Sequence, residues 1–195
     1  MRRLLACLLT CLLPLCSVPA LAQTAVDLGQ LQVDRVDDEI QLSAQLQFEL
    51  PAAVEDALLK GIPMVFVMDA DVLRERWYWY DRKVSSVRRY LRLAFQPLTR
   101  RWRLNVTSGP GSGVGLALNQ SFDTLAQALA VVKRVAGWKI ADATELDASV
   151  KYKVDFRFQL DLEELPRPFQ MGTLGQSEWN ISSEQIVVLG PESGK

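Results

Sequence analysis

Eight basic side chains fall between Arg82 and Arg103 with no acid among them: Arg82, Lys83, Arg88, Arg89, Arg92, Arg100, Arg101 and Arg103. In extended backbone, side chains two apart share a face. Arg88, Tyr90 and Arg92 would then point one way, and Arg101 and Arg103 would share a face on the next strand. Paired as a hairpin, they would form an arginine ladder with an aromatic rung. Like charges opposed across strands repel unless something neutralises them. An external anion is one such group: a phospholipid or lipopolysaccharide head group, an acidic glycan, or an acidic protein face. The internal alternative is a set of carboxylates on a neighbouring strand, Asp155 and Asp161 among them. Just ahead of the basic stretch stand Trp77, Tyr78, Trp79 and Tyr80. Trp77 and Trp79 would share one side, either as a platform for a sugar ring or a membrane interface, or as a plug at the end of the core.

Other constellations are weaker. Asp37-Asp38-Glu39 and Asp69-Ala70-Asp71 offer oxygens to calcium, but neither has EF-hand spacing, and acid clusters are ordinary at turns. Gly109 to Gly115 resembles a phosphate loop in composition only, without the Lys-Ser/Thr that a Walker loop needs.

The amino terminus bounds the compartment. Arg2 and Arg3 precede an apolar run from Leu4 to Leu15, and Ala20-Leu21-Ala22 supplies the small-x-small pattern before Gln23. This is the layout of a cleavable signal peptide over residues 1–22, cut between Ala22 and Gln23. Cys7 lies too close to the start to serve a lipobox, so a lipoprotein is not expected. Export to the periplasm is.

The cut leaves 195 − 22 = 173 residues, the size of one domain over 23–189, with 190–195 as a frayed tail. Cys7, Cys11 and Cys16, all three cysteines, leave with the leader, and the chain has no histidine. Triads built on His or Cys, thiol redox chemistry and structural zinc are thereby excluded, and no cofactor is expected. Two arginines also leave, so 22 − 2 = 20 basic residues face 23 acidic ones, a formal −3. That balance gives no bulk attraction to nucleic acid.

The elements that must position these residues are mostly strands. Glu39 to Leu50 and Lys151 to Leu162 alternate apolar and polar at period two. Leu31 to Val36, Ile62 to Met68, Val87 to Phe95, Arg101 to Val106, Val114 to Leu118, Trp138 to Ala141 and Glu184 to Leu189 read as further strands. Residues 69–83 read as a connection and Ser108 to Gly113 as a loop. A short helix is expected over about 52–60, opened by Pro51 and ended by Gly61. A longer one is expected over about 122–136, capped by Ser121 and ended by Gly137. The sum is a mainly β, antiparallel sandwich-like domain of about seven or eight strands. A barrel or a two-layer α+β sheet fits the same pattern.

Several stretches together resemble a known family. They are Leu58-Leu59-Lys60-Gly61-Ile62-Pro63, Trp77-Tyr78-Trp79-Tyr80-Asp81, Arg89-Tyr90-Leu91-Arg92, Arg100-Arg101-Trp102, Phe122-Asp123-Thr124-Leu125 and Leu160 to Pro166. In this order the chain resembles the exported proteobacterial domain-of-unknown-function family 4390. The resemblance implies an exported protein with no assigned activity, encoded beside a nitrogen-regulation-like membrane sensor kinase. The expectation is a non-enzymatic periplasmic interaction module that docks a membrane protein such as the outer region of a sensor. Binding of an envelope glycan or anionic lipid is the alternative, and a carboxylate-dependent glycan hydrolase ranks last.

Overall fold

In the computed structural model, which describes residues 26–75, 81–111, 114–167, 169–170 and 179–190, period-two alternation becomes strand. β1 (Asp27–Val36) turns through Asp37, whose φ is +52°, into β2 (Glu39–Gln47). Ile40, Leu42, Ala44 and Leu46 of β2 are buried on one face. α1 (Ala52–Leu59) follows Pro51, buries Val54, Ala57 and Leu58, and hands over at Gly61, where φ is +84°. Then come β3 (Met64–Arg74), β4 (Arg82–Gln96), β5 (Arg101–Gly111) and β6 (Val114–Phe122). α2 (Leu125–Val132), β7 (Arg134–Asp142), β8 (Tyr152–Asp161) and β9 (Ser182–Leu189) complete the order.

The strands form two antiparallel sheets, β1-β2-β7 and β6-β5-β4-β3-β8-β9. Their inner faces share one core in which Phe48, Phe66 and Phe158 meet, with ring centroids 5.3 to 6.1 Å apart. β1 runs beside β9 and β7 approaches β4, so the smaller sheet meets the larger along both of its sides. The architecture is mainly β and sandwich-like, with nine strands among the described residues against the seven or eight expected. The leader expected over residues 1–22, the cut expected between Ala22 and Gln23, and residues 191–195 lie outside the described residues.

Three expectations need correction. The helix expected over 122–136 is shorter at both ends. Ser121 and Phe122 belong to β6, and Thr124 is the cap, its hydroxyl accepting from the Gln127 amide at 3.3 Å. At the other end the Lys133 carbonyl accepts from the Leu46 amide at 2.8 Å, and the chain enters β7 against β2. A bulge hides this strand. Gly137 sits at φ +56° and donates to the Ser43 hydroxyl at 3.1 Å. The inward Val135 and Trp138 are therefore three apart, which copies helical spacing.

Second, residues 69–74 continue β3 rather than forming a connection, and β4 already begins at Arg82. Ala70 and Val72 are fully buried and carry the inward face onward. Third, strand pairing reaches Gly111, which partners Val114, so the turn is shorter than the loop expected over Ser108 to Gly113.

Phe66→Ala should destabilise the protein by about 3–5 kcal/mol, because neighbouring rings cannot collapse fully into the void. Leu98→Ala, at a fully exposed turn position, should change stability by less than about 0.5 kcal/mol. Urea unfolding of the two variants beside the parent protein measures both.

Candidate functional site

Arg88, Tyr90 and Arg92 lie on β4 and Arg101 and Arg103 on β5, on the face of the six-stranded sheet turned away from the core. The shared face was expected; the ladder was not realised. Arg92 stands opposite Asn105, Arg103 opposite Ala94 and Arg101 opposite Gln96. The pairing register staggers the arginines diagonally, which keeps like charges out of direct opposition. Trp77 and Trp79 lie outside the described residues.

The floor of this face is apolar. Val65, Val67 and Tyr90 are buried and form a cluster separate from the main core. Arg92 is the cross-strand partner of Val65, so its aliphatic stem can cover apolar surface while its guanidinium reaches water. Beside them lies a cleft of about 330 Å³ bordered by Arg88, Gln159, Asp161 and Glu163.

The acids that answer the basic stretch come from an unexpected strand. Asp69 and Asp71 on β3 are the neutralising groups, not Asp155 and Asp161. Asp69 pairs with Arg88, its cross-strand partner, and the hydrogen bonds of Arg88 to Asp69 and Tyr90 raise the guanidinium pKa further. Asp71 is only 5% exposed. Its Oδ2 accepts from Lys83 at 2.7 Å and Arg157 at 2.9 Å, and its Oδ1 from the Ser86 hydroxyl at 2.5 Å. Burial alone would raise this carboxyl, but the hydrogen bonds of Lys83 and Ser86, with the charges of Lys83 and Arg157, hold it below its ordinary value.

Asp155, directly across from Asp71 on β8, goes the other way. Burial pushes it up, helped by the like charges of Glu184 and Asp71 and opposed by Arg157. Asp161 instead accepts from the Glu163 amide at 2.9 Å, closing the end of β8. One sequence feature marks these partners: Asp69-Ala70-Asp71-Val72 keeps the period-two alternation of a strand.

Past Arg88 the matching stops. Arg101 reaches only the exposed Asp123 at 2.8 Å, a pair of small energetic value. Arg92 and Arg103 have no ion-pair partner among the described residues. The turn that joins β4 to β5 carries Leu98, fully exposed, and Arg100 at φ +51°. Among the described residues, no group of three His, Cys, Asp or Glu side chains is placed to hold a metal ion.

The two carboxyls have opposite pH signatures. Asp71 contributes stability above its ordinary pKa of about 4, and that contribution fades as pH falls below it. Asp155 is least costly in its protonated form, so its effect declines as pH rises through its elevated value. Asp71→Asn should therefore destabilise the protein at neutral pH by about 1–3 kcal/mol. Lys83 and Arg157, with side chains 53% and 43% exposed, keep the loss toward the low end. The gap should narrow below about pH 4, whereas Asp155→Asn should match or exceed the parent at neutral pH and lose that advantage in acid. Urea titrations on both sides of the carboxylate range check the signs.

Comparison with curated proteins and with solved structures finds no match. A family model matches residues 23–188, from ahead of β1 to the penultimate residue of β9. The chain therefore belongs to the family described as a domain of unknown function, DUF4390.

Proposed function

We propose that the protein is a non-enzymatic interaction module of the bacterial periplasm that docks an acidic face of a membrane protein. The carrying observation is where the charges are matched. Carboxylates of β3 meet Lys83, Arg88 and Arg157, while Arg92 beside Tyr90, and Arg103 further along the same face opposite Ala94, have no such partner among the described residues. Uncompensated guanidiniums around an apolar floor suit a carboxylate-bearing protein surface, because arginine makes paired, planar hydrogen bonds and remains charged. The leader pattern of residues 1–22 supports export. The outer region of a membrane sensor is the partner that the family resemblance suggests.

One feature supports a binding role over hydrolysis by a carboxylate pair. Both oxygens of Asp71 are already engaged by Lys83, Arg157 and Ser86. A general base or nucleophile needs a free lone pair within reach of its substrate.

One observation favours a second reading, binding to anionic lipid. Leu98, fully exposed, projects beside Arg100 at the β4–β5 turn, and the half-exposed Leu59 of α1 adjoins the same end of the sheet, where Gly61 faces Pro97. An apolar tip in a basic surround is a means of entering a headgroup layer.

A pull-down from detergent-solubilised envelopes tests the first reading. The Arg92→Glu/Arg103→Glu variant should lose a membrane-protein partner that the parent captures, and salt should weaken the parent's capture. Unchanged capture by the variant would remove the arginine face from the account. Sedimentation with phosphatidylglycerol vesicles tests the second. Leu98→Asp should reduce co-sedimentation several-fold at low ionic strength, and a parent protein that stays in the supernatant there ends that reading.

A further inference from the structure

β4 changes neighbours along its length. From Arg89 to Gln96 it lies between β3 and β5, but from Arg82 to Arg88 it pairs with β3 alone. β7 pairs with β2 alone, so it too has one unpaired side. These two edges approach each other where the Ser85 hydroxyl donates to the Ile140 carbonyl at 2.6 Å. No backbone ladder joins them among the described residues. Beyond that contact lies a cleft of about 580 Å³. Asp69, Ser86, Val87 and Arg88 line it from one side, Trp138 and Lys139 from the other, and Ser108 from β5.

Arg89 does not itself line this cleft but stands behind its wall, following Val87 and Arg88 in the chain and opposite Ser108, all three of which do line it. Its guanidinium lies 4.6 Å from the centre of the Trp138 ring. It is half-buried, and its Nε is buried without a hydrogen-bond partner. Burial lowers its pKa. Lys83 and Arg88, on the same strand, have carboxylates, and Lys139 has Glu39 and Asp142. Among the described residues Arg89 has none. A ring face compensates only part of the desolvation of such a charge.

We propose that this cleft receives an extended segment of a partner protein, which pairs with the free edge of β4 or β7 and directs an Asp or Glu side chain at Arg89. Two unpaired strand edges supply main-chain hydrogen bonds to any extended chain, and the unmatched guanidinium selects one with an acid at the right position. A small carboxylate would satisfy Arg89 but leave both edges unpaired. The site is separate from Arg92 and Arg103, so its occupancy does not depend on that face.

Selection of a random-peptide display library against the immobilised protein tests this, followed by amide exchange with the most enriched peptide. The enriched sequences should share one Asp or Glu flanked by β-branched residues. The peptide should slow exchange in 82–88 and 134–140. Arg89→Met should weaken its binding about 30-fold or more without lowering Tm, because it removes a poorly compensated buried charge. Ser108→Trp, which fills the cleft from an exposed position, should lose the peptide equally, while Arg92→Glu/Arg103→Glu should bind it as the parent does. The proposal is overturned if no acidic peptide is enriched, if protection maps elsewhere, or if Ser108→Trp retains full binding. It is also overturned if the same amides become protected on concentrating the protein alone, since the occupant would then be a second copy. A large fall in Tm for Arg89→Met would assign that arginine to the fold and likewise overturn its role.

Discussion

A carboxylate that is 95% shielded from water stays ionised only when cations come to it, and Asp71 has two, together with a hydroxyl. The three donors come from both strands that flank β3: Lys83 and Ser86 from β4, Arg157 from β8. The residue thus ties the centre of the large sheet together on the face where no second sheet does so. Its energetic worth is moderate, because Lys83 and Arg157 are half-exposed and keep much of their hydration. Its geometric consequence is larger. The two acids of this mostly apolar central strand favour the register in which cations flank them, since a slip by one residue would turn Asp71 into the buried core.

That constraint distributes the remaining charge. Asp69 and Asp71 both lie in the second half of β3, so they reach only the first half of antiparallel β4. The first half of β3 carries Val65 and Val67 on the same face, opposite Arg92 and Tyr90. The sheet therefore has a neutralised end and a cationic end, and an apolar strip floors the cationic one. The chain's net charge conceals this division, because the excess acids lie elsewhere. Exposed arginines over buried valines are stable without a partner, since the guanidiniums remain in water. Nothing in the fold requires a ligand there, which is why binding at that face is open to test by charge reversal with little risk to folding.

Much of the architecture was readable because one-sided burial leaves a period in the sequence. β2 and β8 alternate cleanly, since each has one face toward the core and one toward a more polar surface. The end of β3 is not legible past Met68, because Asp69 and Asp71 are equally at home in a turn; only their tertiary neighbours place them in a strand. The start of β7, before Trp138, copies a helix because the bulge at Gly137 stretches the inward spacing from two to three. The basic residues and their shared face were legible, but their partners were not, since cross-strand register depends on how distant segments align. For the same reason Arg89 was read as one member of a basic run, although it faces inward toward Trp138 while Arg88 faces Asp69.

The contrast between these adjacent arginines bears on why a protein would keep the inner one. Arg88 has a carboxylate partner at a half-exposed site, an arrangement close to neutral for stability. Arg89 is desolvated against an indole with its Nε unpartnered, which disfavours the isolated fold unless ring stacking outweighs the lost hydration. A leucine or methionine would fill the same space at lower electrostatic cost, so packing alone does not account for arginine at this position. The unpaired stretch of β4 has the same character: open strand edges are normally covered or blunted because they invite pairing. A desolvated cation and an open edge beside one cleft are each unfavourable for the chain alone, and an extended acidic segment paired with that edge would relieve both at once.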